Sequence, residues 1–481
     1  MAERTAVVIG GGLAGTTAAL ALADAGLRVT LLEARPRLGG LAFSFRRGAL
    51  TVDNGQHVFL RCCAAYLRFL DRIDASDLVT LQRRLDVPVL DVAAPRPRLG
   101  RLRRSALPVP LHLAASLATY PHLSLAERAS VGRAALALRS LDPADPALDA
   151  VDFGSWLREH GQSARTVEAL WDLVGIATLN ATADEASLGL AAMVFKTGLL
   201  SDPGAADIGW AARPLGELHD ERARTALDKA GVRTLLRARA TSLTRTDAPE
   251  PVRSAASVPG AGGPVWEVEA ETGPGRGERF TADTVVLAVP QHEAHGLLPA
   301  GALPDPDALL RIGTAPILNV HVVYDREVLR QPFFAALGSP VQWVFDRTEH
   351  SGLTGGGQYL ALSQSAAQEE IDLPVAELRK RYLPELERLL PVARDAAVLD
   401  FFVTRERTAT FAPIPGVGAL RPGPATRAPG VWLAGAWTAT GWPATMESAV
   451  RSGLQASRAA LTALRHPFDP RTFAIEGLEP V

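Results

Sequence analysis

The sequence is poor in cysteine: of 481 residues only Cys62 and Cys63 are cysteines, and they are adjacent. Adjacent thiols build no ordinary disulfide framework, and their spacing suits no zinc site. A reducing cytoplasm is the simplest compartment for such a chain. No apolar run reaches the roughly 18 residues a membrane-crossing helix needs. The longest candidate, 188–200, is cut by Lys196. The amino terminus lacks a charged leader, apolar stretch and cleavage site, so no secretory signal is expected. Lysine is nearly absent as well, with only Lys196, Lys229 and Lys380. With 50 basic against 52 acidic residues and a net charge of −2, no global charge favours nucleic acid.

What is present is concentrated at the two ends. A short apolar strand, Ala6-Val7-Val8-Ile9, runs into Gly10-x-Gly12-x-x-Gly15, then a helix and a second strand ending at Glu33. Gly10 makes the tight turn, Gly12 lets backbone approach a pyrophosphate, and Gly15 lets helix and strand pack closely. The backbone N–H groups of Leu13 and Ala14, in the first helical turn, face the same anion. Glu33 lies eighteen residues beyond Gly15, near the spacing of a ribose-binding acid. An acid there favours NAD or FAD over NADP. After Ala34 and Arg35, the turn Arg37-Leu38-Gly39-Gly40 resembles the second phosphate-contacting turn of flavoproteins in the amine oxidase and phytoene desaturase superfamily. That resemblance selects FAD.

Along the chain, residues 1–75 read as the opening βαβ unit and a following turn, and 76–215 as mainly helical with few strand signals. Strands are expected at 232–235, 241–243, 265–270 and 285–289, with an exposed Pro/Gly/Ala/Ser-rich loop over 248–264. Further strands are expected at 317–324, 341–345 and 359–363, and a helix after Pro374. A last strand at 430–435 turns into an amphipathic helix beginning near Met446. The predicted fold is α/β, a discontinuous Rossmann-like FAD-binding domain of the glutathione-reductase type with an inserted α+β substrate domain. Its expected parts are 1–75, 216–304 and 426–465, with 76–215 and 305–425 as the cap and 466–481 as a tail.

The strand-turn-helix from Leu433 to Gly453 can aim backbone N–H groups at the flavin edge that becomes negative on reduction. A final core helix that merely packs on the sheet explains the same residues. Asp53-Asn54-Gly55-Gln56-His57 makes a loop able to reach a flavin face, and an ordinary Asn-Gly turn is its plainer explanation.

Together, Asn54-Gly55-Gln56-His57, Gly441-Trp442-Pro443-Ala444-Thr445 and the opening fingerprint resemble the squalene-associated FAD-dependent desaturases, the hydroxysqualene dehydroxylases. The resemblance spans the chain and includes the middle at 107–127. It implies FAD contacts at Gly10, Gly12, Leu13, Ala14, Gly15, Glu33, Ala34, Arg35, Gly39, Gly40, Gly55, Gln56, Ala240 (through backbone), Gly435, Trp437, Thr445 and Met446. One departure is Ala436, where many superfamily members carry an acid that contacts the ribityl chain. The implied reaction is reductive removal of an allylic hydroxyl from hydroxysqualene, a long-chain isoprenoid, with FAD reduced by an electron donor the residues do not name. Candidate proton donors are His57, Glu447 and Asp53; Glu447 equally suits pairing with Arg451 at i+4. Trp156, Trp171, Phe195 and Trp210 are candidates to line an apolar tunnel, with plain core packing the preferred explanation for any single one. A carotenoid desaturase or amine oxidase is the nearest alternative, and a non-catalytic flavin- or isoprenoid-binding partner a more distant one.

Two patterns mislead. His292-Glu293-Ala294-His295 has histidines three apart where the metalloprotease helix needs four, so no metal is expected. The cluster Arg96, Arg98, Arg101, Arg103 and Arg104 has no interleaved aromatics and precedes an apolar segment. Peripheral contact with the inner face of the cell membrane and a solvated loop before a core helix explain it equally well.

Overall fold

A computed structural model describes residues 4–93, 97–246, 265–273 and 275–474. The predicted loop at 248–264 and the end of the predicted tail lie outside the described residues. The chain opens with β1 (Thr5–Ile9), α1 (Leu13–Asp24) and β2 (Arg28–Glu33), then the hairpin β3 (Ser44–Arg47) and β4 (Leu50–Asp53), β5 (Val58–Leu60) and α2 (Ala64–Arg72). β6 (Val79–Leu81), β7 (Asp86–Asp91) and β8 (Arg98–Arg103) precede α3 (Ala114–Ala118), α4 (Leu125–Ser140) and further helices. β9 (Ile208–Ala211) leads to β10 (Arg233–Leu236), the meander β11 (Arg239–Thr246), β12 (Val265–Gly273) and β13 (Arg276–Ala282), and then β14 (Thr284–Leu287). β15 (Ala315–Tyr324), β16 (Phe333–Leu337), β17 (Trp343–Asp346), β18 (Gln358–Ser365), β19 (Val398–Thr410) and β20 (Val431–Leu433) complete the strands, before a helix over Met446–Ala463.

β1 is apolar almost throughout because neighbours flank it and helices cover its sheet. It pairs in parallel with β2 and β14, giving the five-stranded order β10-β2-β1-β14-β20. These strands come from three stretches of chain far apart in sequence. The final helix packs on α1 so closely that a Cβ on Gly453 would lie 2.3 Å from the carbonyl of Ala14. The first and last α-helices therefore meet beside the glycine turn.

The second large sheet has the order β19-β15-β18-β17-β16-β7-β8. Its two strands β7 and β8, with β6 and β9, fall in the stretch whose pattern reads as helical. β6 and β9 have only 3 and 4 residues, too short for a period to show. β8, Arg-Leu-Gly-Arg-Leu-Arg, is an edge strand carrying charge as edge strands do. β19, the longest strand at 13 residues, also lacks a signal, because its Arg-Glu-Arg-Thr run resembles solvated loop. The small sheet β5-β9-β6 ties the segment after His57 to residues some 150 positions later.

Candidate active site

Three segments converge at the carboxyl ends of β1, β2 and β20, where ligands of open α/β sheets bind. Gly10 has φ +106°, and a Cβ there would sit 2.3 Å from the carbonyl oxygen of Ala288. A Cβ on Gly15 would lie 1.8 Å from the carbonyl oxygen of Gly10. Both glycines are demanded by the protein's own backbone. Gly12 differs: it begins α1 with ordinary φ, and its Cβ would meet only the Cα of Gly40, at 3.6 Å. The space beside Gly12 is thus kept clear for something other than protein. No side chain caps α1, so the N–H groups of Leu13 and Ala14 face that space.

The second glycine turn closes the cradle. Gly39 N–H donates to the carbonyl of Gly11 at 2.9 Å, and Gly39 and Gly40 have φ +89° and +56°. Glu33 is buried, its carboxylate accepting from the backbone N–H of Gly11 and of Arg35 at 2.6 Å each. It thereby braces the turn. Ala34 and Arg35 are exposed beside it. Ala240 lies on β11, two residues beyond Ala238, whose N–H donates to the carbonyl of Glu33.

At the other end, Gly435 has φ +143° and its N–H donates to Ser452 Oγ at 2.8 Å. Trp437 is buried and donates its indole N–H to the carbonyl of Val289. Thr445 caps the final helix, its hydroxyl accepting from Ser448 N–H, and Met446 is the first helical residue. Arg421, which no local signal marks, stitches this loop: its guanidinium donates to the carbonyls of Trp437, Ala436, Thr438 and Trp442. Burial lowers its pKa to about 10.

Between the two ends stands the loop 53–57. Asn54 accepts from Phe43 N–H and donates to the carbonyl of Leu41 and to Glu406, so it fixes the chain leaving the second glycine turn. The carbonyl of Asn54 accepts from Asn319 Nδ2 and Thr404 Oγ1. Fully buried Asn319 leaves its Oδ1 without a partner. A Cβ on Gly55 would lie 3.4 Å from Asn319 Nδ2 and 3.5 Å from His57 Nε2, so two polar groups converge on one point.

The three proton-donor candidates are placed differently. Glu447 is buried, accepting from the N–H groups of Ala65 and Tyr66 and from Arg451 Nε at 2.6 Å. It caps α2 and ties that helix to the final one. Asp53 faces a cleft, but Arg347 (2.8 Å), Leu215 N–H and Ser44 Oγ occupy its oxygens. His57 is half-buried in the same cleft with Gln56, Trp210 and Phe345, and neither ring nitrogen has a hydrogen-bond partner among the described residues. Burial lowers its pKa to about 4. Of the expected tunnel aromatics, Trp210 lines this cleft, whereas Trp156, Trp171 and Phe195 pack around Phe153. His219, absent from the sequence reading, links Tyr66 OH (2.9 Å) to the carbonyl of Ala42. It sits on a π-helical turn, Glu217–Arg222. No group of residues suited to a metal occurs among the described residues.

Glycine turns at the carboxyl ends of an α/β sheet, closed by the last strand and helix, leave a space that fits a dinucleotide. Residues 13–461 match the family of flavin containing amine oxidoreductases, and the chain belongs to that family. It is an FAD-dependent oxidoreductase, and the clear space at Gly12 and the free N–H groups of α1 fit that cofactor's pyrophosphate. It is similar to the hydroxysqualene dehydroxylase of Rhodopseudomonas palustris, 28% identical over 96% of this chain and 100% of that protein. The hydroxysqualene dehydroxylase of Sinorhizobium fredii is 27% identical over 95% and 98%. A zeta-carotene desaturase from Zea mays is 29% identical over 35% of this chain and 30% of its own. Among solved structures, a putrescine oxidase variant superposes with a TM-score of 0.70 at 19% identity, covering 97% of this chain and 99% of its own.

Proposed function

We propose that the enzyme reductively removes the allylic hydroxyl of hydroxysqualene to give squalene, with 1–75, 216–304 and 426–465 holding FAD and the remaining body shaping the cleft. Reduced FAD supplies the hydride. The balance is one hydride to carbon, one proton to the departing oxygen, and loss of water. Hydroxide leaves poorly, so a proton must reach that oxygen where water cannot quench the allylic cation. What supports this reading is His57, which has no hydrogen-bond partner among the described residues and faces a small cleft lined by Trp210 and Phe345 together with Asp53, Gln56 and Arg347. Asp53 and Glu447, held by several donors each, serve as braces.

A pKa of about 4 makes His57 neutral in the resting cleft at pH 7. The protonated fraction then falls about tenfold per pH unit above that value, so the chemical step should slow as pH rises. We expect His57→Ala to lower turnover by more than about tenfold, keep FAD bound and abolish that pH dependence. Unchanged turnover would remove His57 from the mechanism. Similarity to a zeta-carotene desaturase favours a second reading, desaturation of a polyene by oxidised FAD. Incubating reduced enzyme with hydroxysqualene and oxidised enzyme with phytoene, then analysing the lipids, separates them. Squalene in the first and no new polyene in the second is the expected outcome. Because a C30 isoprenoid partitions into lipid, this reading includes peripheral contact with a membrane.

A further inference from the structure

Between Asp91 and Asp142 the sequence contains eight arginines and a single acid, Glu127, in a chain whose overall net charge is only −2. Within that stretch, residues 105–119 carry no Asp, Glu, Lys or Arg at all. A segment of that composition should be buried, yet much of it lies on the surface. Leu107 is 49% exposed and Leu111 53%, with Ala114, Ala115 and Ala118 exposed beside them. α3 packs against β8 and α4, which carry the pattern onward. Leu99 on β8 is 54% exposed, and Leu125 and Leu136 on α4 are 79% and 55% exposed.

The α4 pattern is unusual for a surface helix. Val131, Ala134 and Leu138 face the core, while Leu125, Ala129 and Leu136 recur at helical spacing on the opposite side. A helix apolar on both faces has a second apolar partner. Arg98, Arg103, Arg133 and Arg139 are exposed around this face. Glu127 is occupied by the capping box with Ser124 and by Ser163, and of these four arginines Arg103 pairs with Asp86.

The same face packs onto the core that also backs the cleft. Leu113 and Leu117, beneath the exposed segment, belong to one apolar cluster that continues to Trp210, Phe333 and Phe345. Trp210 and Phe345 line the cleft beside His57. Arg104, at the end of β8, pairs with fully buried Asp207, which leads into β9 and its pairing with Val58.

We propose that β8, the 105–119 segment and the outer side of α4 form a docking face for an anionic lipid bilayer. The leucines enter the acyl boundary and the arginines meet lipid phosphates. The bilayer as the source of substrate rests on the isoprenoid reading above; the docking itself does not. A polyanion would use the arginines but leave the leucines in water, and a protein partner alone would not require this one-sided charge.

The test is flotation of full-length, FAD-loaded protein with vesicles of phosphatidylcholine alone or with about a third phosphatidylglycerol. Binding to the anionic vesicles, weakened by salt, is expected. The double variant L107E/L111E should bind them at least about tenfold more weakly, and L136E should show a smaller loss on the other side of the face. All three positions are already half exposed, so FAD absorbance and melting temperature should be unchanged. No flotation of the native protein, equal flotation with both lipid mixtures, or native-like flotation of L107E/L111E would each overturn the proposal. So would light scattering showing that the double variant splits a dimer. Turnover of detergent-dispersed hydroxysqualene, expected unchanged in the variants, keeps the two readings separable. An enzyme that floats but leaves hydroxysqualene untouched fails the functional reading alone.

Discussion

Gly12→Val is expected to weaken FAD binding by at least about a hundredfold, near 3 kcal/mol, while leaving the apoprotein folded. The reason is that Gly12 is glycine for the ligand, whereas its neighbours are glycine for the protein. A Cβ at Gly10 or Gly15 would collide with backbone at 2.3 Å or 1.8 Å, so substitution there should disrupt the fold itself. At Gly12 the nearest protein atom is at 3.6 Å and the backbone is not left-handed. The added methyls would therefore occupy the open volume proposed for the pyrophosphate and block its approach to the N–H groups of α1. Titration of stripped protein with FAD, followed by flavin fluorescence, measures the loss, and apoprotein melting should move little. Tight FAD binding by Gly12→Val would mean that the cradle is elsewhere.

Arg347→Ala is expected to cost roughly 3–5 kcal/mol of stability, the range for removing one partner of a buried ion pair. Arg347 and Asp53 have side chains only 8% and 5% exposed, with N–O distance 2.8 Å. Arg347 also donates to the carbonyl of Ala211, and Asp53 accepts from Leu215 N–H and Ser44 Oγ. One pair thus joins β4, β9 and the turn after β17, three segments that wall the cleft. Truncation leaves a carboxylate buried without its cation, so the penalty exceeds the value of the bond itself. Chemical denaturation of the FAD-loaded protein measures it. Arg347→Lys should recover only part, since an ammonium cannot reach both acceptors in the guanidinium's geometry. A loss below about 1 kcal/mol would show that water screens the pair.

The sequence exposes those parts of the site that act through backbone. Gly10, Gly12, Gly15, Gly39, Gly40 and Gly435 are needed for turns and close approaches that depend on a few neighbouring residues, so their spacing is readable. Glu33 is readable because strand and helix lengths fix its distance from the turn. The groups that hold the centre are not. Arg347 finds Asp53 across 294 positions, and Asn319 finds the Asn54 carbonyl across 265. Arg421 is an arginine among many until the fold sets four carbonyls around it. The same blindness explains Glu447, a proton-donor candidate by its motif, whose oxygens are occupied by the start of α2 and by Arg451. β8 and β19 stayed hidden because charged edge or exposed strands lack the apolar alternation that announces a strand.

The most direct test is to photoreduce the FAD-loaded protein without oxygen, add one equivalent of hydroxysqualene, and follow the visible flavin bands while extracting the lipid. The account predicts that the bleached bands return and that squalene appears in equal amount. Flavin that stays bleached beside unchanged hydroxysqualene, or protein that remains colourless after reconstitution with FAD, would contradict it.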